Sequence, residues 1–270
     1  MHKNGFFPDN FVIPNVLKDC SALQLIGFGK GVHGYALKME LYDCVYVASS
    51  LVDMYGKCGS LVDARKIFDG IYERNVVTWN SMIVGYVQNR INEEAMKVFY
   101  DMIVEGVEPT RVTLPSFLSA SVNLDAIEEG RQGHAVIVLR GLELDNILGN
   151  SLINFYSKTH EIEDIEFILS RIKERDTVSW NLLISCYVQE GQVEEALDTC
   201  RRMRSENFRL TQFQLLYYVH LMRKEGIKPE ASSAFTGVLS ACSHRRFLDE
   251  GLEVFSDMVS GYSIKLNMEH

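Results

Sequence analysis

Proline is scarce, five in 270 residues, which removes the strongest helix breaker and suits a helical chain. Positive charge is in deficit. Lys and Arg total 27 against 36 Asp and Glu, a formal net charge of −9, so bulk attraction to nucleic acid is excluded and any such binding must use a local groove. No apolar run approaches the roughly 18 residues of a membrane span, so no membrane partner is expected. The six cysteines (Cys20, Cys44, Cys58, Cys186, Cys200, Cys242) form no C-x-x-C pair and no framework spacing, and read as small core residues in a reducing compartment. A zinc cytidine deaminase needs H-x-E and C-x-x-C to hold its metal and its catalytic glutamate. Neither is present, so no catalytic residue, metal ligand or cofactor is expected in this chain. The Gly27-Phe28-Gly29-Lys30-Gly31 stretch lacks the order of a P-loop and reads as close helix packing. Met1-His2-Lys3-Asn4-Gly5 has neither the apolar core of a signal peptide nor an Arg/Ser-rich transit segment. Sustained period-two alternation is missing throughout, so no strand is expected.

What the chain has is a repeat. Val77-Thr78-Trp79-Asn80 returns as Val178-Ser179-Trp180-Asn181, with Trp79 and Trp180 101 positions apart. The same offset superposes Pro14 on Pro115, His33 on His134, Lys57 on Lys158, Glu73-Arg74 on Glu174-Arg175, and Glu93-Glu94-Ala95 on Glu194-Glu195-Ala196. Matches spread over a whole period mark a repeat array, and one this long is a block of several units.

Each block divides into units of 35, 31 and 35 residues, at 10–44, 45–75 and 76–110, then 111–145, 146–176 and 177–211. Each unit reads as a helix pair. Leu17, Leu23 and Ile26 give apolar spacing in the first, and Gly56 to Ser60 a turn in the second. In the third, Trp79, Met82, Ile83 and Tyr86 share one face, with Ala95, Val98, Phe99 and Met102 inward on the partner helix. A lone pair cannot bury its apolar face, so the pairs must stack. Gly106 and Pro109 close the third unit, as Gly5 with Pro8 and Gly226 with Pro229 do elsewhere. Residues 1–9 therefore read as the tail of a preceding repeat, with Met1 an internal methionine of a longer parent. After Thr211 the order breaks. Residues 212–231 read as a disrupted partial repeat, whose segment 212–221 is expected to be a helix without its partner, and 232–270 as a further, truncated unit.

The alternating lengths, the V-T-W-N opening and the G-(I/V)-x-P closing resemble pentatricopeptide repeat proteins of the plant PLS subclass. Units 10–44, 111–145 and 232–270 correspond to the L type, 45–75 and 146–176 to S, and 76–110 and 177–211 to P. Segments such as His2-Lys3-Asn4-Gly5-Phe6-Phe7-Pro8-Asp9-Asn10 and Val47-Ala48-Ser49-Ser50-Leu51 are more specifically similar to chloroplast RNA-editing factors of the chlororespiratory reduction group. The resemblance implies an all-α, right-handed superhelical solenoid whose first helices line a groove for single-stranded organellar RNA, one base per repeat. It implies a chloroplast protein, with the mitochondrion second, acting in C-to-U editing with a deaminase beyond His270 or supplied in trans.

By the same resemblance the base-reading residues are the fifth and last of each unit: Ser49 with Asn75, Asn80 with Thr110, Asn150 with Asp176, and Asn181 with Thr211. Second-position Tyr46, Val77, Ile147 and Val178 would clamp neighbouring bases. Lys57 and Lys158 would meet phosphate, where the P units carry Gln88 and Gln189. Pro14 and Pro115 at the fifth position offer no polar group, so the L units are not expected to read a base. With a net charge of −9, affinity is expected to be weak and strongly salt-dependent.

Blander readings compete. Asn80 and Asn181 could simply cap their helices. Lys57 and Lys158 could be solvated surface charges, and His33 and His134 structural. Glu93-Glu94 and Glu128-Glu129 read as outer-face charge. The alternative functions are a protein-binding helical scaffold, which the acidity favours but the alternating period does not, or a non-functional gene fragment.

Overall fold

The computed structural model describes residues 8–41, 44–142, 144–206 and 208. The expectations for residues 1–7 and 212–270, and the placement of Thr211, lie outside these. The described residues hold twelve helices of 10 to 14 residues and no strand. The chain forms two compact units, Met1–Thr159 and His160–His270.

In the first unit, α1 (Val12–Ala22), α3 (Val45–Lys57), α5 (Val76–Gln88), α7 (Thr113–Asn123) and α9 (Asn146–Thr159) form one row, each packed on the next. Behind them lie α2 (Ile26–Lys38), α4 (Leu61–Gly70), α6 (Asn92–Val104) and α8 (Ile127–Leu139), each against its own partner and the first helix that follows. In the second unit, α11 (Thr177–Gln189) packs on both α10 (Ile162–Arg171) and α12 (Val193–Ser205). The layers follow from the apolar periodicity. Trp79, Met82, Ile83 and Tyr86 on α5 and Ala95, Val98, Phe99 and Met102 on α6 are all buried. Phe99 stacks on Phe117 at 3.9 Å between centroids, which joins α6 to α7. Cys20, Cys186 and Cys200 sit in the core, and burial pushes the Cys200 thiol up to about 12, while Cys44 and Cys58 are half-buried.

The helix ends explain the repeated turns. At the end of α3 the N–H of Ser60 donates to the carbonyl of Tyr55 at 2.8 Å and that of Gly59 to Gly56 at 3.1 Å, around Gly59 at φ +77°. This double bond satisfies carbonyls that the helix leaves open. Gly56 is therefore inside α3 and not in the turn, because the helical ladder runs on to Lys57. Leu23 likewise misses the core at 66% exposed, because it caps α1 just before the left-handed residue Gln24. The repeated Glu-Arg pair also has a structural task. Arg74 donates from Nε to the Phe68 carbonyl at 2.9 Å, pairs with Glu105 at 3.1 Å and lies over the Phe68 ring at 4.7 Å. Arg175 repeats this with Leu169 and Glu206 at 3.0 and 2.8 Å.

Of the glycines between 27 and 31, only Gly29 makes a close approach. A Cβ there would lie 2.6 Å from the Met54 sulfur, whereas Gly27 and Gly31 face open space. At Gly130, 101 positions on, a Cβ would lie 2.0 Å from the ring of Phe155. His33 and His134 hydrogen-bond the hydroxyls of Tyr55 and Tyr156 at 3.0 and 2.6 Å, tying each second helix to the next first helix.

Two outcomes follow. In denaturant unfolding, Gly31→Ala should stabilise by up to about 1 kcal/mol through helix propensity. Gly130→Ala should destabilise, since overpacking of about 1–3 kcal/mol outweighs the same gain; equal effects would remove the close-packing role of Gly130. Burial also holds the His33 imidazole below its ordinary value of 6.5, against an opposing pull from Asp63. The native state then binds fewer protons than the unfolded chain. Stability should be full above pH 6.5, decline as pH falls below it, and level off beneath the depressed native value. His33→Gln should lose less stability than the native chain between pH 7.5 and pH 5.5, measured by chemical unfolding.

Candidate functional site

The N-terminal turns of the first helices present the same positions again and again. The second residue of each of the six described repeats, from 10–44 to 177–211, is an apolar side chain in solvent. In the first unit these are Phe11, Tyr46, Val77, Val112 and Ile147, and in the second Val178. Phe11 and Tyr46 are 76% and 68% exposed. Single exposed apolar residues are ordinary, but one per repeat at a fixed place in the repeat, either the N-cap or the second residue of the first helix, is not a packing requirement. Four of the six match the residues singled out in sequence. Phe11 and Val112 were missed, because Pro14 and Pro115 drew attention away from their units; the apolar second position was the available signal.

The fifth residues lie one turn further in. Ser49 is 3% exposed and Asn80 9%, while Asn150 and Asn181 are half-buried. None of these three asparagines, Asn80, Asn150 and Asn181, is an N-cap, so the capping alternative for Asn80 and Asn181 is overturned: both stand within their helices, α5 and α11. The caps are the last residues of the preceding units. Asn75 Oδ1 accepts from the Thr78 N–H at 2.9 Å and from Thr78 Oγ1 at 3.0 Å. Asp176 Oδ1 accepts from the Ser179 N–H and Oγ, both at 2.8 Å. These bonds satisfy one of the open amides at a helix start. They also orient the side chain. A backbone N–H demands an oxygen, so the cap takes Oδ1 and turns the other terminal atom away from it: an NH2 donor in Asn75, a carboxylate acceptor in Asp176.

Hydroxyls one unit on complete the arrangement, and sequence reasoning did not find them. Ser49 Oγ lies 2.7 Å from Thr78 Oγ1. Asn80 Oδ1 accepts from Thr113 Oγ1 at 2.6 Å, and Thr113 Oγ1 accepts in turn from the Thr110 N–H at 3.0 Å. Thr78 and Thr113 are completely buried.

The lysines behave differently from each other. Lys57 pairs with Asp53 at 2.9 Å, whereas Lys158 is exposed; both sit in the last turn of a first helix, where the dipole favours a cation. Helices α5, α7 and α11 contain no charged residue at all, and α9 only Lys158. In α1 and α3 the charges cancel, Lys18 against Asp19 and Lys57 against Asp53. The acidic pairs stand instead in the first turns of the second helices, at Glu93, Glu94, Glu128, Glu129, Glu163, Asp164, Glu194 and Glu195.

A row of first helices with invariant outward positions, backed by second helices that carry the charge, is the organisation of a helical-repeat protein. Residues 46–76, 178–208 and 233–261 match the PPR repeat, and residues 74–123 the PPR repeat family model. The chain belongs to the pentatricopeptide repeat family. It is 57% identical over 209 residues to a chloroplastic pentatricopeptide repeat-containing protein of Arabidopsis thaliana, covering 77% of this chain and 25% of that one. A second chloroplastic Arabidopsis protein of this kind is 38% identical, over 97% of this chain and 32% of its own. A mitochondrial one is 35% identical, over 97% and 39%. The chain thus spans a quarter to two fifths of these relatives. The crystal structure of the pentatricopeptide repeat protein PPR10 from maize has the same fold, with a TM-score of 0.70 at 19% identity, covering 97% of this chain and 40% of that one. PPR10 in complex with an 18-nt psaJ RNA element gives 0.67.

Asn75→Ala should destabilise by about 0.5–2 kcal/mol in chemical unfolding through loss of the cap. Asn75→Asp, which keeps an oxygen for the Thr78 N–H, should not. Equal losses would mean that the cap is not what holds this junction.

Proposed function

We propose that this chain binds single-stranded RNA, one base per unit, as a specificity factor in plant organellar RNA metabolism, with C-to-U editing as the process and the PLS subclass as its type. The observation that supports this most directly is the first helices, in a row in the first unit and as α11 in the second. Each offers an exposed apolar side chain at the second position of its repeat, on helices with no net negative charge, and oriented amide, hydroxyl or carboxylate groups stand at Ser49, Asn75, Asn80 and Asp176. Apolar and aromatic side chains give bases a surface to stack on, and oriented polar groups read their edges. PPR10, of like fold, is known in complex with RNA, and the Arabidopsis relatives are chloroplastic or mitochondrial. On this reading the protein acts in an organelle, the chloroplast first, and an editing deaminase is a separate domain or partner.

The residues have the following roles. Ser49 with Asn75 favours adenine, Asn80 with Thr110 a pyrimidine, Asn150 with Asp176 uracil, and Asn181 with Thr211 a pyrimidine. The unit of Pro115 spans one unread base between the second and fourth. Tyr46, Val77, Ile147 and Val178 clamp the bases, joined by Phe11 and Val112. Lys158 meets phosphate, and Lys57 does so from its pair with Asp53. The uracil preference has a physical basis in the cap: an acceptor held outward at Asp176 suits the N3–H of uracil, whereas cytosine presents an acceptor at N3 and calls for a donor.

Asp176→Asn keeps the cap and turns a donor outward. It should shift the fourth base from uracil towards cytosine, by about 5- to 100-fold in relative affinity, and leave the other positions alone. Binding to short oligonucleotides differing only at that base is the measurement. Equal affinity for both before and after the change would rule out base reading and favour a protein-binding scaffold.

A further inference from the structure

The residues that read a base on the proposed function belong to one unit, yet they are joined through a hydroxyl from the next. Asn80 and Thr110 meet at Thr113 Oγ1, which donates to Asn80 Oδ1 at 2.6 Å and accepts from the Thr110 N–H at 3.0 Å. Ser49 and Asn75 meet at Thr78 Oγ1, at 2.7 and 3.0 Å. In each case the hydroxyl is the third residue of the following unit and is fully buried. Its occurrence along the chain is selective. Behind the fifth-position residues Ser49, Asn80 and Asn150 the third residue of the next unit is Thr78, Thr113 and Ser179. Behind Pro14 and Pro115 it is Val47 and Leu148. Helix formation alone does not account for this choice, since Val47 and Leu148 occupy the same place in helices α3 and α9.

We infer that Thr78 and Thr113 are positioning residues for base recognition, and that the third residue of one unit sets how the unit before it reads its base. This rests on the proposed RNA-binding function. Proton accounting gives the mechanism. A hydroxyl has one proton, and in Thr113 it goes to Asn80 Oδ1, while lone pairs receive the Thr110 N–H. The amide of Asn80 is thereby held with its oxygen inward and its NH2 group turned away from Thr113. A primary amide without such a partner can turn over and present oxygen or NH2 alike, and a reader that presents both does not discriminate. At Ser49 the same accounting holds: its proton is used within the protein, towards Val45 O at 2.6 Å or Thr78 Oγ1 at 2.7 Å. What remains of Ser49 is an acceptor only, beside the donor that the cap orients in Asn75.

The test uses the full 270-residue chain with oligonucleotides that differ only at the second base, and compares Thr113→Val with Thr113→Ser. Valine keeps the volume of threonine and removes the hydroxyl; serine keeps the hydroxyl and removes a methyl. A merely structural role predicts that serine is the worse replacement and that neither changes the ratio of affinities. The positioning role predicts that Thr113→Val lowers discrimination between pyrimidine and purine at the second base by about 3- to 10-fold, while Thr113→Ser retains it and discrimination at the other bases stands. Thr78→Val, read at the first base, is the parallel experiment if Thr113→Val does not fold. A native chain that discriminates at the second base, with a Thr113→Val variant that discriminates equally, overturns the inference and leaves the RNA-binding function intact. A native chain that discriminates at no base overturns both.

Discussion

At the starts of α5, α9 and α11 the junction between consecutive units carries one hydrogen bond, from the third backbone N–H of the first helix to the side chain of the residue just before it. At Asn75 and Asp176 this bond decides where α5 and α11 begin. It also decides which terminal atom of the capping side chain is turned away from the helix, because the backbone N–H donates only to a side-chain oxygen. On the proposed function, folding and recognition would therefore share the same two side chains, one terminal atom of each serving the cap and the other the base. A side chain held by its cap bond does not rotate freely, so on that function the choice of Asn or Asp at that point would be a choice of donor or acceptor made when the helix forms. Such preorganisation removes an ordering cost that a flexible reader would meet at every base.

Stacking supplies the rigidity that this arrangement requires. A single hairpin leaves much of its apolar surface wet, so α3, α5 and α7 are each held by both neighbours in the row and by two second helices. The tolerances are tight where the backbones come closest: a Cβ on Gly56 or Gly85 would meet the other glycine's Cα at 3.2 Å. Shifting α3 against α5 by a fraction of that distance would break the 2.7 Å contact between Ser49 and Thr78. Packing between units and the polar groups at their junctions are thus one mechanical system.

Local pattern made much of this legible beforehand. The 101-residue offset and the apolar faces of α5 and α6 are properties of neighbouring residues, and so are the tryptophan and arginine positions that repeat with them. The failures have a common physical origin in contacts far apart in sequence or in backbone geometry. Leu23 has the right spacing for the core, but the left-handed turn at Gln24 carries it out. Gly56 looks like a turn residue and is a contact for Gly85 in another helix. Asn80 looks like a cap and is bound 33 residues away by Thr113. The burial of Ser49 could not be read locally either, since its cover is Thr78, 29 positions on. Once the contact is known, the third positions across units, hydroxyl against aliphatic, show the same relation in the sequence.

Charge is the place where composition misleads most. A net charge of −9 implies repulsion of a polyanion when spread evenly, and from it follows an expectation of weak, strongly salt-dependent binding. The charge is not spread evenly. The first helices carry one uncompensated charge among them, that of Lys158, while acidic pairs occupy the first turns of α6, α8, α10 and α12, where helix dipoles favour them. Salt dependence is governed by the phosphates a protein neutralises, at a slope of about −0.7 per phosphate for single strands. Lys158 and the already paired Lys57 neutralise few. On the proposed function, the first helices would therefore suit an RNA held by stacking and edge contacts, with a shallow response to salt. Where the charges sit, rather than their sum, is what a salt titration of binding would report.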